Sequence, residues 1–175
     1  PARAALAQVR EALRDALEAG QRVTRIVRDL RKLGRAEELA PSPLDVGAVV
    51  ESALRLLVHE VGRRVRLEVV VGRAPLVRGD EGRLVQVLVN LVQNAVHAAE
   101  DARPGSGSVT VRTSTDARGW AVVTVSDDGR GIPLEVATRV FDPFFTTKDA
   151  GRGMGLGLTI ARRVAGEHGG ELTFT

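Results

Sequence analysis

Apolar positions in residues 1–34 recur in alternating steps of three and four: Leu6, Val9, Leu13, Ala16, Gly20, Val23, Val27, Leu30 and Gly34. That is the seam spacing of a helical bundle, and it predicts one long amphipathic helix. Leu17, Ile26 and Leu33 widen the seam, and Arg and Glu fill the other sides. No other segment of the sequence offers this stripe a partner helix, so it calls for a second copy of the chain or a helix from outside it. Pro41 and Pro43 forbid helical continuation, which sets a domain boundary near residue 40.

Beyond that boundary the pattern changes. Asp45 is placed to cap a helix running to about residue 58, with Val46, Val49, Val50, Ala53, Leu54 and Leu57 on its inner face. A strand over Val65–Val71, a short one around Leu76 and a long helix over 80–99 follow. A glycine turn at 105–107 leads to a hairpin that pairs 108–114 with Ala121–Asp127 across 117–119. A glycine-punctuated stretch, 128–157, precedes a helix ending near Glu167, and 171–175 reads as a strand. The sequence looks cut at both ends, since it begins at Pro1 rather than Met and stops inside that apparent strand.

Composition narrows the function classes. The 175 residues carry 25 Lys+Arg against 22 Asp+Glu, a net of +3, and no cysteine. Disulfide frameworks and thiolate metal sites are thereby excluded, and a reducing, cytoplasmic setting is expected. No apolar run approaches the ~20 residues of a membrane span, so no membrane contact is expected of this segment, whatever anchors the whole protein. Residues 1–35 hold nine cations against four acids, but aromatic interleaving is lacking, so nucleic acid is not expected as a partner.

Three elements could carry chemistry. On the helix over 80–99, Arg83, Gln86, Asn90, Gln93, Asn94 and His97 fall in one stripe. A solvated face is ordinarily built from Glu, Lys and Arg, whereas this one is mainly amides, neutral hard ligands that can hold Mg²⁺ beside a phosphate chain. The second element runs from Val125 through Ser126, Asp127, Asp128, Gly129 and Arg130 to Gly131. Strand alternation separates Asp127, on the face of Val123 and Val125, from Asp128. If that face is the core side, Asp127 is a carboxylate aimed into a pocket, needing a donor such as a purine exocyclic amine. Third, Gly151, Gly153, Gly155 and Gly157 alternate with Arg152, Met154 and Leu156 just before a helix. Such a loop turns amides toward an anion at the helix's positive end, yet its spacing is neither a P-loop nor a Rossmann fingerprint. Between the second and third lie Phe141, Phe144 and Phe145, three of the four phenylalanines, followed by Lys148, one of two lysines.

In this order the elements resemble the ATP-binding domain of sensor histidine kinases, in the Bergerat-fold (GHKL) superfamily. Asn90-Leu91-Val92-Gln93-Asn94-Ala95 resembles the N box, and Asp127-x-Gly129-x-Gly131 the first glycine box. Phe141 to Lys148 resembles the F box, most like that of nitrogen-regulation kinases, and Gly153 to Leu158 the second glycine box. Singly each motif is common; the four in order are distinctive. The resemblance covers about residues 44–175, and the helix over 1–34 is similar to the second helix of the family's dimerisation bundle. It implies an α/β (α+β) sandwich, a mixed sheet with helices on one face, preceded by the long N-terminal helix. Its domains are then a partial bundle over 1–40 and the ATP-binding domain over 44–175, lacking the last strand and leaving an open sheet edge.

Carried over position by position, the resemblance implies ATP and Mg²⁺ as cofactors, with Asn94 on the metal and Asp127 accepting the adenine amino hydrogen. Asn90 lines the phosphate side and His97 matches a position of basic phosphate contacts. Gly129 and Gly131 border the base. Gly153, Met154, Gly155, Leu156, Gly157 and Leu158 form the phosphate loop, with Lys148 and Arg152 reaching in from the lid. Met154 departs from the small polar residue common there, and only backbone donation is expected of it. The implied function is transfer of the ATP γ-phosphoryl to a histidine on a dimerisation helix, then relay to a response regulator receiver domain. The protein is expected to be a homodimer through residues 1–34. The chain's His59, His97 and His168 match no acceptor motif. No catalytic residue is therefore assigned, and the chain by itself is not expected to autophosphorylate. Two readings stand beside this one: a GHKL-type ATPase and a degenerate nucleotide-binding scaffold. The ATPases place a glutamate base one turn before the metal-binding Asn, where this chain has Asn90, an amide that takes no proton. A serine kinase of the anti-sigma type lacks the bundle helix.

Overall fold

Asp45 starts the first helix of the described chain by accepting from Gly47 N at 2.8 Å through Oδ1, as the capping pattern predicts. The structure, a computed structural model, describes Arg10, Arg14, Gly20 and residues 41–61, 64–148 and 153–175. The expected helix over 1–34 lies outside the described residues apart from Arg10, Arg14 and Gly20, which are helical and exposed. The chain divides into two compact units, one of 1–37 with 146–154 and one of 38–145 with 155–175.

In the larger unit the elements run β1 (Ser42–Leu44), α1 (Val46–Val61), β2 (Val65–Val71), β3 (Val77–Gly79) and α2 (Glu81–Ala102). Then come β4 (Gly107–Thr115), β5 (Ala121–Asp127), α3 (Leu134–Ala137) and α4 (Gly157–Glu167). The main sheet is mixed, in the order β2-β4-β5, with β2 parallel and β5 antiparallel to β4. Alternation along β4 buries Val109 and Val111 against the helices and leaves Ser108, Thr110 and Arg112 on the opposite face. The inner stripe of α1 (Val49, Val50, Ala53, Leu57) meets Leu88, Val92, Ala95, Val96 and Ala99 of α2 over that sheet. Each fully buried valine or leucine in this layer contributes roughly 1.5–3 kcal/mol. The result is a two-layer α/β sandwich with helices on one face.

Two expectations need correcting. The prolines at 41 and 43 mark more than a break: Ser42–Leu44 is a strand paired antiparallel with β3, Pro43 opposite Arg78. Proline fits because this two-stranded ribbon is all edge and requires no donor from position 43. Conversely, 171–175 is no strand. Only Leu172 and the preceding Gly170 are even half-buried there, and the segment is held by side chains instead. The Phe174 ring packs on Phe141, centroids 5.8 Å apart and tilted by 45°, and Glu171 approaches Arg118 at 3.9 Å.

Candidate nucleotide-binding site

Helix α2 is the axis of the site. Asp80 caps it by accepting from Arg83 N at 3.0 Å. Its apolar side is buried in the core, which leaves Gln86, Asn90, Gln93, Asn94 and His97 half-buried along the remaining face. Arg83, in the same polar stripe, turns to Glu167 of α4. Asn90 is committed within the protein: its Nδ2 donates to Gly157 O at 3.2 Å, and its Oδ1 accepts from Gln86 Nε2 at 2.9 Å. The amide stripe thus seats the first residue of α4 directly on α2.

That contact brings the glycine motif to the helix. Leu156 is buried and Leu158 half-buried, and as apolar side chains they offer only main chain to a ligand. No side chain caps α4, whose first amides lack intrahelical acceptors and carry the positive end of the helix. Gly155 precedes them at φ +66°, and Phe144 N donates to Gly155 O at 3.0 Å. A Cβ on Gly155 would lie 2.5 Å from Phe144 C, so only glycine fits this neck. Phe141 is set below it, its carbonyl accepting from Thr159 Oγ1 at 2.9 Å and its ring covered by the Arg162 guanidinium at 4.8 Å.

At the other end, β5 delivers Asp127 on the face of Val123 and Val125, which pack on the core. Asp127 is exposed, and its Oδ1 accepts from Gly129 N at 2.9 Å. Gly129 lies hard against α2, since a Cβ there would stand 2.8 Å from Ala98 C and Cβ. Gly131 follows in the open. Asp128 does different work. It accepts from Ser108 N at 2.8 Å and from Arg103 Nη1 at 3.0 Å, closing the mouth of the β4–β5 ladder. The Ser108 backbone N–H, with the Arg103 charge adding to it, holds the Asp128 carboxyl below its ordinary value.

Three positions one helical turn apart therefore organise the site. Asn90 touches the start of α4, Ala98 touches the Asp127–Gly129 turn, and Asn94 lies midway, over about 12 Å of axis. In the smaller unit, Lys148 N donates to Thr146 Oγ1 at 3.2 Å, and Gly153 lies beside both residues. Met154 is half-buried, and Arg152 lies outside the described residues. Sequence reading missed the ties Arg83–Glu167, Asn90–Gly157 and Thr159–Phe141, because no periodicity within one segment pairs it with another.

Residues 79–175 match the family described as histidine kinase-, DNA gyrase B-, and HSP90-like ATPase. The chain belongs to this family. Within it the resemblance is to sensor kinases. The chain is 36% identical over 164 residues to the sensor kinase CckA of Brucella abortus, covering 85% of this chain and 17% of that protein. It is 36% identical over 158 residues to the C4-dicarboxylate transport sensor protein DctB of Rhizobium meliloti, covering 89% and 24%. Among solved structures, a mycobacterial sensor histidine kinase, MprB, superposes with a TM-score of 0.64 at 31% identity, covering 74% of this chain and 81% of that one. Full-length ShkA in complex with AMPPNP superposes with a TM-score of 0.66 at 29% identity, over 89% and 32%. The chain thus carries an ATP-binding catalytic domain of the sensor histidine kinase kind and spans about a fifth of the sensor kinases it matches in sequence.

Proposed function

We propose that the chain positions Mg·ATP for transfer of the γ-phosphoryl to a histidine on a dimerisation helix, from which it passes to the aspartate of a receiver domain. The carrying observation is the α2 face itself, where Asn94 lies between the uncapped start of α4 and the Asp127–Gly129 turn. The donor set fits the ligands. Asp127 offers an exposed acceptor to the adenine amine, and the first amides of α4 suit the phosphate chain. Asn94 would hold Mg²⁺, which supplies charge neutralisation at the phosphate oxygens when bound. Lys148 and Arg152 are proposed phosphate contacts, His97 a looser one, and residues 1–34 the dimer contact. Because neutral imidazole is already nucleophilic, the protein's task is orientation and charge stabilisation rather than proton abstraction. Asn90, bonded through both ends of its amide, offers no base for water, which disfavours the hydrolytic reading.

The decisive experiment mixes this chain with a dimerisation domain bearing the acceptor histidine and γ-labelled ATP. Label is expected on the added domain as acid-labile, base-stable phosphate, with little free phosphate. Rapid phosphate release by the chain alone, with no labelled protein, would instead establish an ATPase.

A further inference from the structure

We propose that His168 is a positioning residue for nucleotide binding: its imidazole locks the far end of α4 to the cap of α2, and so fixes where the start of α4 lies relative to Asn94. The proposal rests on the nucleotide site described above and adds to it a residue about 16 Å away along α4.

The ring's two nitrogens are both engaged, and their partners fix its state. Nδ1 lies 2.8 Å from Val164 O, which can only accept, so Nδ1 carries the hydrogen. Nε2 is then the bare nitrogen, and it accepts from Asp80 N at 3.0 Å. Asp80 is the residue that caps α2. The ring also lies against Gly79 of β3, where an added Cβ would stand 2.8 Å from Nε2. Charged groups around it complete the clasp. Glu167 binds Arg83 of α2 and, at 2.9 Å, Arg163 of its own helix.

The two helices run antiparallel, and their ties sit at two levels. His168–Asp80 and Glu167–Arg83 join the end of α4 to the start of α2, and Asn90–Gly157 joins the start of α4 to the middle of α2. With the first level removed, α4 can swing about the second. The amides proposed to meet the phosphates lie at that pivot, one turn from Asn94. Binding constellations tolerate displacements of only about 0.5 Å, so a small rotation there lowers affinity. Ile160, Ala161 and Val164 seat α4 on the core, and Glu167–Arg83 is half-exposed and contributes little by itself, which leaves the imidazole as the directional tie at this end.

The test compares His168→Phe, which keeps ring volume but accepts no hydrogen bond, with His168→Gln, whose amide can both donate to Val164 O and accept from Asp80 N. Calorimetry with Mg·ATP is run on the full chain well below each variant's unfolding midpoint. The expected result is a loss of about tenfold or more in affinity for the folded Phe variant, with Gln close to wild type. Wild-type affinity in the folded Phe variant overturns the proposal, as does equal loss in Phe and Gln. Should the Phe variant not fold, Gly79→Ala serves in its place by crowding Nε2 with the imidazole retained. Weakened binding there supports the lock, and unchanged binding overturns it. If wild type itself binds no Mg·ATP, the nucleotide reading fails. The lock is then judged separately by hydrogen exchange at Asp80 N–H, which must lose protection in the Phe variant and keep it in Gln.

Discussion

Asn90 and Gly157 are joined across two helices, the side-chain Nδ2 donating to the main-chain carbonyl at 3.2 Å while Gln86 supplies a hydrogen to Asn90 Oδ1 at 2.9 Å. An amide is required because one end must donate and the other accept. Asn90→Asp keeps the shape but sets a carboxylate oxygen against the Gly157 carbonyl. Loss of one partly buried hydrogen bond costs about 1 kcal/mol, and an unpaired acceptor adds to it. Urea midpoints should therefore fall by more in Asn90→Asp than in Asn90→Ala. An aspartate variant as stable as wild type would show that this tie does not hold α4.

Asn94 is half-buried on the same face but lies past the α4 contact. Alanine is the best helix former, so Asn94→Ala should keep α2 helical and the domain cooperatively folded. Mg-dependent ATP affinity should drop below detection in calorimetry, while any weak Mg-independent binding persists. Unchanged Mg dependence would remove Asn94 as the metal ligand.

The alternating glycines are unequal in what they tolerate. A Cβ on Gly153 would meet only Lys148 Cδ at 3.4 Å and Thr146 Oγ1 at 3.5 Å, ordinary contacts. Gly155 combines φ +66° with main chain of Phe144 and Phe145 in the way. The left-handed conformation alone costs an L-residue about 1–2 kcal/mol. Gly155→Ala should therefore be destabilised by about 2 kcal/mol or more and bind ATP poorly, whereas Gly153→Ala keeps wild-type stability. Thermal melts of the two variants, side by side, decide it.

These results mark where sequence reading works. The period of 3.6 located α1, α2 and α4 to within about three residues at their ends, and the period of 2 located β2, β4 and β5 within a residue. Alternation also separated Asp127 from Asp128, and the structure gives each a different partner. The failures are of another kind. β1 was hidden because a three-residue edge strand carrying Pro43 has no periodicity to detect. The run at 171–175 looked like a strand because composition favours one, yet pairing depends on a neighbour no local pattern supplies. His168 matches no motif in the sequence, and its link to Asp80 joins positions 88 residues apart.

Acid should open the β4–β5 mouth. The Asp128 carboxyl titrates below its ordinary value of 3.8, first because of the Ser108 backbone N–H and then through Ser108 and Arg103 contacts. A carboxyl depressed by folding contributes its full stability above the unfolded value, and that contribution is lost as pH falls through the folded one. Asp116 and Glu167 are depressed in the same direction, by the Trp120 backbone N–H and by Arg163 respectively. Wild-type urea midpoints should hold level from pH 7 to about pH 4 and then decline. Asp128→Asn keeps an acceptor for Ser108 N but cannot titrate, so it should start less stable at pH 7 and decline less steeply below pH 4. Identical slopes in the two proteins would assign the acid loss to the other carboxylates.

The proposed base-binding end, at Asp127 and Gly129, offers the most specific prediction. A Cβ on Gly129 would stand 2.6 Å from Asp127 Oδ1 and 2.8 Å from Ala98 C and Cβ. The carboxylate can rotate away, whereas the α2 main chain at Ala98 cannot, so Gly129→Ala must displace both the turn and Asp127. Overpacking of this kind costs about 1–3 kcal/mol in stability. The affinity change should depend on the base. With Asp127 as the proposed base acceptor, ATP would bring an exocyclic amine to it, whereas GTP would present a carbonyl oxygen there and gain nothing. Gly129→Ala should accordingly weaken ATP more than GTP, narrowing the preference for ATP expected of wild type in competition binding. Asp127→Asn, with no steric change, should narrow it as well. If both nucleotides weaken by the same factor in Gly129→Ala while Asp127→Asn still discriminates, the glycine serves packing on α2 and not the placement of Asp127.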